Sequence, residues 1–288
     1  MLRDGKNPEL FAIMRIAFFG DIVGRPGRAA VKARFPVLRE KLRLDAIIAN
    51  AENAAGGIGI TRETLREVLG AGVDVATGGN HTWRNQEVYS MLNEDGRIVR
   101  PANVHPVSPG RGHTVHELPC GRKIAVINLL GRSFMDMADC PFRSVDAILE
   151  HIPADVVLRF VDFHAEATSE KRAMGFYLDG RVSAVVGTHT HVQTADATIL
   201  PQGTAYMTDL GMCGAEAVSV LGMQPKEICD RFITGLPHRF KPATGDGTLN
   251  GLVATFDPAS GTAATVTILR ERASDTYDPF RGFAPCNG

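Results

Sequence analysis

Imidazole, carboxylate and amide side chains follow the ends of several apolar segments of this sequence. His189 and His191 come just after the apolar segment 182–186, and residues two apart on an extended chain point to the same side. Nitrogen and oxygen donors without thiolates are typical of catalytic sites for divalent transition metals. The set therefore predicts a catalytic metal site rather than a structural zinc. Its other members are Asp21, Glu52, Asn53, Asn80, His81 and His164.

The number of donors predicts two ions rather than one. Two metals need at least six protein ligand positions, and one carboxylate can bridge two ions about 3.5–4 Å apart. Asp, Asn and Gly also form turns and helix caps, so the alternative interpretation is that these residues only build loops. Five strand ends that all carry ligand side chains favour the metal site. The predicted ligands are Asp21, Glu52, Asn53, Asn80, His164, His189 and His191.

Three glycines after the first apolar segment offer a competing interpretation, a loop that binds the phosphates of a nucleotide. The spacing of Gly20, Gly24 and Gly27 fits neither of the two common phosphate-binding patterns. Asp21 would also point a negative charge at the phosphate. The same carboxylate is favourable if a cation lies between it and the phosphate.

The elements that must position these residues alternate between strands and helices in the first half. Strands are predicted at 15–19, 46–49 and 73–76, with helices over 28–42 and from Thr61. Because the carboxyl ends of parallel strands share one edge of a sheet, the polar residues that follow them can converge there. In the second half strands outnumber helices, so we expect an α/β fold with a mixed sheet or two packed sheets. Further strands are predicted at 114–118 and 123–129 as a hairpin, and at 156–163, 182–186, 205–208, 251–256 and 265–269.

Composition excludes several classes of protein. The chain has 288 residues, of which 44% are hydrophobic and 22% charged, and its formal net charge is −1. A disordered chain, a fibre and a coiled coil are excluded, and no global positive charge favours duplex nucleic acid or a membrane surface. Five cysteines without a C-x-x-C pair predict free thiols, and no segment matches a signal peptide or a membrane span. We expect a cytoplasmic protein with one domain over 14–271 and flexible tails at 1–13 and 272–288.

Five short motifs carry a resemblance to a known family. Together and in this order they resemble the calcineurin-like metallophosphoesterases, most nearly the YmdB-like bacterial branch, described as 2′,3′-cyclic-nucleotide 2′-phosphodiesterases. Val23 stands where the wider superfamily has a histidine, and Glu52-Asn53 stands where a G-D-x-x-D pattern is common; both departures match the YmdB-like branch. The motifs are GDIVG at 20–24, AENA at 51–54, GGNH at 78–81, DFHAE at 162–166 and GTHTH at 187–191.

The resemblance implies a fold, a ligand assignment and a reaction. The fold would be a four-layer α/β/β/α sandwich with two mixed sheets and helices outside. One ion would be held by Asp21, Glu52, Asn53 and His191, and the second by Glu52, Asn80, His164 and His189. The ions would be Fe or Mn, with Zn or Mg as alternatives, in a homo-oligomer. A metal-bridging hydroxide would attack a cyclic nucleotide such as 2′,3′-cAMP, with His81 as general acid.

Two other functions stay open at this point. A phosphomonoesterase acting on nucleotides or small phosphates would use the same metal site, and a regulatory nucleotide-binding module would retain it without catalysis. No ligand position is replaced by an apolar residue, which disfavours the module. His81 also has an alternative role, as a hydrogen-bonding support for its neighbours. The expected partner is a small phosphodiester substrate, without duplex nucleic acid or membrane.

Overall fold

Two six-stranded sheets with helices form the mixed α/β fold of this chain, which a computed structural model describes over residues 13–274. The strands are β1 (Met14–Phe19), β2 (Asp21–Ile22), β3 (Ala46–Asn50), β4 (Val75–Thr77), β5 (Ile98–Val99), β6 (His113–Glu117), β7 (Lys123–Leu130), β8 (Leu158–His164), β9 (Ala184–Thr188), β10 (Thr198–Ile199), β11 (Ala205–Met207), β12 (Met212–Cys213), β13 (Thr248–Phe256) and β14 (Ala263–Arg272). The helices are α1 (Gly24–Leu42), α2 (Arg62–Gly70), α3 (Tyr89–Glu94), α4 (Pro141–His151), α5 (Thr168–Leu178) and α6 (Pro225–Thr234).

Each sheet contains a run of four parallel strands. The first sheet has the order β14-β13-β1-β3-β4-β5, in which β1, β3, β4 and β5 are parallel. The second has the order β10-β11-β9-β8-β7-β6, in which β11, β9, β8 and β7 are parallel. The short strands β2 and β12 pair separately, with Asp21 opposite Met212. The carboxyl ends of neighbouring strands therefore meet at one edge within each sheet.

Alternation along the strands sends side chains into different apolar cores. Phe18 packs against Phe160 of the second sheet, with ring centroids 5.2 Å apart, so both sheets contribute to one core. Its neighbour Phe19 points the other way and meets Phe35 of α1 at 4.3 Å. A third core lies between the second sheet and its helices, where Phe163 of β8 joins Met174 of α5. Because successive side chains of a strand point to opposite faces, each sheet packs against apolar side chains on both of its faces.

The predicted α/β class is confirmed, and so is the hairpin, since β6 and β7 pair antiparallel. Helix α1 begins at Gly24, earlier than predicted, because Pro26 fits the first turn of a helix, where no backbone donor is needed. The strand predicted at 73–76 is shifted to Val75–Thr77. Two-residue strands such as β10 carry no periodic pattern and were not predicted.

The two predicted tails fall almost wholly outside the described residues, which begin at Ile13 and end at Ser274. The exceptions are Ile13 and residues 272–274, of which Arg272 is the last residue of β14 and lies beyond the predicted domain end at 271. Among residues 13–274, no helix is long and apolar enough to cross a membrane.

Candidate metal centre

The predicted site residues lie at the carboxyl ends of five strands, drawn from both sheets. Asp21 follows β1, Glu52 and Asn53 follow β3, and Asn80 and His81 follow β4. From the second sheet, His164 ends β8, while His189 and His191 follow β9. All eight side chains come together at the meeting point of these ends, as the contacts below describe.

One half of the cluster is centred on His164, a fully buried side chain. Its Nε2 lies 3.1 Å from each of three donor atoms: Oε1 of Glu52, Oδ1 of Asn80 and Nδ1 of His189. Glu52, His164 and His189 each offer a ligand atom within 4.8 Å of the other two. A single cation can be shared by donors this close.

The other half of the cluster contains Asp21, Asn53 and His191. Nε2 of His191 lies 3.8 Å from Oδ1 of Asp21 and 3.2 Å from Nδ2 of Asn53. The Asn53 amide also donates to Oε1 of Glu52 at 3.1 Å. Glu52 therefore touches both halves of the cluster, as expected for a residue that would bridge two ions.

The two histidines of the GTHTH motif converge by a different geometry from the one predicted. An extended segment was expected, but β9 ends at Thr188, and His189 and His191 have positive φ angles of 102° and 64°. Few residues other than glycine adopt such angles, so the loop is strained. Hydrogen bonds hold it in place: His189 donates its backbone N–H to Oδ2 of Asp21 at 3.0 Å, and Nδ1 of His191 contacts Leu221 O at 3.0 Å.

Two observations indicate that the cluster fits divalent cations. Oδ1 of Asp21 is buried and has no hydrogen-bond partner among residues 13–274. A buried carboxylate oxygen without a partner is costly unless a cation pairs with it. Gly79 is the second observation, since a Cβ there would collide with the Glu52 carboxylate and the His164 ring. The backbone at Gly79 therefore borders the space between the donors, and only glycine leaves it open.

Ionisation in the cluster reflects burial and close charges. Burial raises the pKa of Asp21, and it would also raise that of Glu52, but the charge of His164 lowers the pKa of Glu52 well below its ordinary value. For His164 burial opposes protonation, yet Glu52 and Asp21 raise its pKa to about 9. Burial and the neighbouring His164 lower the pKa of His189 to about 3. The cluster therefore favours a proton on His164 and disfavours one on His189.

His81 is the most accessible of the four histidines in the candidate site, with 35% of its side chain exposed. Its Nδ1 lies 2.8 Å from Oδ1 of Asn53 and 3.2 Å from Oε1 of Glu52. Its backbone N–H donates to Oε2 of Glu52 at 2.9 Å. One ring nitrogen is therefore fixed against two predicted ligands, and Nε2 makes no hydrogen bond within the described part of the chain.

A buried network behind His164 was not singled out from the sequence. Nδ1 of His164 lies 2.9 Å from Oγ1 of Thr188, which donates to Oδ1 of Asp162 at 2.7 Å. Asn50 and Thr77 also donate to Asp162, and burial raises the pKa of Asp162 to about 6. These bonds fix the His164 ring so that Nε2 faces the other donors. The available signal was a carboxylate inside an apolar strand, two residues before His164.

The chain is similar to proteins of a known family. The family model of YmdB-like proteins matches residues 17–269. A 2′,3′-cyclic-nucleotide 2′-phosphodiesterase of Bacillus subtilis is 47% identical over 253 residues, which cover 88% of this chain and 95% of that enzyme.

Two solved structures have the same fold. A protein of Thermus thermophilus, described as hypothetical, has a TM-score of 0.84 and 43% identity, covering 90% of this chain and 99% of that chain. A novel phosphatase of Mycoplasma pneumoniae has a TM-score of 0.85 and 34% identity, covering 93% and 98%. The fold is α/β, and the relatives that share it and the matched span include a protein named a phosphodiesterase and one described as a phosphatase. The chain belongs to the YmdB-like protein family.

Proposed function

We propose that the protein is a metal-dependent phosphoric diester hydrolase that acts on 2′,3′-cyclic nucleotides. The observation that carries the proposal is the buried cluster of carboxylate, amide and imidazole donors, in which Oδ1 of Asp21 has no partner among the described residues. The name of the Bacillus subtilis relative supplies the substrate class. Hydrolysis of the 2′ ester of such a substrate leaves a 3′-phosphate.

The ligand assignment is part of the proposal. Asp21, Glu52, Asn53 and His191 would hold one divalent ion, and Glu52, Asn80, His164 and His189 the other. The division into two ligand sets is supported by the close contacts around His164 and by those around His191. Glu52 contacts a member of each set. Ligation by Asn53 through Oδ1 would require its amide to turn, because Nδ2 now faces His191. Mixed nitrogen and oxygen donors favour Fe or Mn, with Zn or Mg as alternatives.

His81 is proposed as the general acid. When bound, the metal ions supply Lewis-acid activation of the phosphate and of the attacking water. The 2′ oxygen of the sugar leaves as an alkoxide unless it receives a proton, and an imidazole donates protons near neutral pH. Nδ1 of His81 also lies 3.2 Å from Oε1 of Glu52, a contact that does not depend on the orientation of the Asn53 amide, and this leaves Nε2 to serve the leaving oxygen.

A phosphomonoesterase is the second candidate, favoured by the description of the Mycoplasma pneumoniae structure as a phosphatase. The two activities would share the cluster and differ in how the leaving group is treated. Turnover of bis-p-nitrophenyl phosphate is expected to exceed turnover of p-nitrophenyl phosphate. A strong preference for the monoester would favour the second candidate.

The layering and the assembly are also proposals. We propose the order helices, sheet, sheet, helices, which the three apolar cores support, since one joins the two sheets and each of the others joins a sheet to helices. A single domain over 14–271, a cytoplasmic location and a homo-oligomeric state remain predictions. Limited proteolysis, cell fractionation and light scattering test them in turn.

The deciding experiment is elemental analysis of purified protein, paired with 2′,3′-cAMP hydrolysis before and after chelation. We expect about two transition-metal ions per chain and activity that chelation abolishes. The variant Asp21→Asn should lose both the bound metal and the activity. The control Asp155→Asn, which changes an exposed carboxylate, should keep both. Two ions without hydrolysis would reject the substrate class. The absence of bound metal, with no activity when Mn²⁺ or Fe²⁺ is supplied, would reject the metal centre.

A further inference from the structure

A buried ion pair lies behind the candidate metal centre and belongs to neither predicted ligand set. Nζ of Lys171, on α5, lies 2.6 Å from Oδ2 of Asp209, which follows β11. Each side chain is only 1% exposed. Lysine and aspartate are seldom fully buried unless they are paired, so this pair has a specific place in the fold.

The pair is bonded to both residues that flank His189. Nζ of Lys171 donates to the backbone oxygen of Thr188 at 2.7 Å, and Oδ2 of Asp209 accepts the backbone N–H of Thr190 at 3.1 Å. The His189 backbone between them is therefore held on either side. Because Thr190 also precedes His191, both histidines depend on these bonds.

The pair also reaches the first sheet. Oδ1 of Asp209 accepts the N–H of Gly211 at 2.8 Å, and the oxygen of Gly211 accepts the N–H of Asp21 at 3.1 Å. A Cβ at Gly187 would lie 2.9 Å from the Lys171 side chain and collide with the oxygen of Thr208. Because Gly187 has no side chain, the Lys171 side chain can pack close to the end of β9.

Stability alone does not account for this pair. A buried ion pair contributes little net stability, since the loss of hydration of both charges offsets their attraction. The loop that it holds contains His189 and His191 at positive φ, a conformation that persists only when surrounding bonds fix it. We propose that Lys171 and Asp209 are positioning residues, which hold the 188–191 loop so that its two histidines bind metal ions tightly.

This inference rests on the proposed metal centre, and its test uses binding rather than turnover. The double variant Lys171→Met/Asp209→Asn removes both charges together, so no unpaired charge stays buried. The matched control is Arg39→Met/Asp74→Asn, which removes a part-buried ion pair at the opposite, amino ends of β3 and β4. For each protein, Mn²⁺ affinity is measured by chelator competition, and hydrogen exchange of segment 187–194 is followed without metal.

The double variant should bind Mn²⁺ about 10-fold to 100-fold more weakly than the native protein, the range seen when residues that support ligands are changed. Segment 187–194 should exchange faster, and excess Mn²⁺ should restore hydrolysis of 2′,3′-cAMP. The control should keep native Mn²⁺ affinity. Affinity within twofold of native in the double variant, or an equal loss in the control, would overturn the inference. A native protein that binds no Mn²⁺ would instead overturn the metal centre itself.

Discussion

His81 differs from the other imidazoles of the site because it is the most exposed of them and its Nε2 makes no hydrogen bond within the described residues, while Nδ1 is bonded to Asn53. His81→Gln keeps a polar side chain but cannot supply a proton at neutral pH. It should slow hydrolysis of 2′,3′-cAMP about 100-fold to 10,000-fold, the usual contribution of a general acid. On bis-p-nitrophenyl phosphate the loss should be less than about tenfold, because p-nitrophenolate leaves without a proton.

Steady-state kinetics on both substrates measures this difference, with the exposed His105→Gln as control. Equal losses on the two substrates would show that His81 only supports the ligands, the alternative role that the sequence left open.

Metal binding at the proposed centre is expected to depend on pH through His164. In the metal-free protein its pKa is raised to about 9, because the charges of Glu52 and Asp21 outweigh the effect of burial. Stability from this proton is present below the ordinary value of 6.5 and is lost as pH rises through 9. A metal must displace the same proton, so Mn²⁺ affinity should rise about tenfold per pH unit up to about pH 9. Chelator competition at several pH values measures the Mn²⁺ affinity. An affinity that stays constant between about pH 7 and 8 would contradict the prediction.

At the scale of elements, the end of β4 shows how a backbone shapes the site. Gly79→Ala would push a Cβ into the Glu52 carboxylate and the His164 ring. Mn²⁺ affinity should fall more than about 100-fold, beyond the range for residues that only support ligands. Gly70→Ala is the matched control, since nothing lies within 4 Å of its added carbon and it ends α2.

The control should bind Mn²⁺ normally and gain up to about 1 kcal/mol in free energy of unfolding, since alanine favours a helix more than glycine does. Metal titration and thermal unfolding of both variants check the pair. Native Mn²⁺ affinity in Gly79→Ala would mean that the cluster is not the binding site.

The sequence predicted the longer strands, the first two helices and the polar residues at the strand ends, because apolar periodicity and polar strand ends are local signals. It did not place α4, α5 or α6. It did not predict β2, β10 or β12, which are two residues long. β2 and β12 pair with each other from distant parts of the chain, whereas β10 pairs with the nearby β11 but is too short to show a periodic pattern. The same limit applies within the site. That His189 and His191 would converge was a sound expectation, but the positive φ angles that achieve it depend on bonds from Asp21, Leu221 and the Lys171–Asp209 pair.

At the scale of the whole molecule, the candidate centre draws its donors from both sheets. Asp21 and Glu52 extend from the first, and His164 and His189 from the second. Bound ions would therefore link the two sheets beyond their shared apolar core. Metal at about 100 times its Kd should add about 2.7 kcal/mol per site to the free energy of unfolding.

Chelation should accordingly lower the thermal midpoint by several degrees, and Mn²⁺ should restore it, as calorimetry would record. Asp21→Asn should show no response to chelator at the same protein concentration. A midpoint that chelation leaves unchanged in the native protein, despite removal of bound metal, would show that the ions do not link the sheets.

The left-handed turn at the end of β9 sets a limit on engineering this protein. Glycine would adopt the φ angles of positions 189 and 191 with less strain than histidine does. Selection for thermal tolerance in the absence of metal would therefore favour glycine at both positions and remove two candidate ligands. Variants designed for higher stability should therefore keep His189 and His191 and change exposed positions of the helices instead.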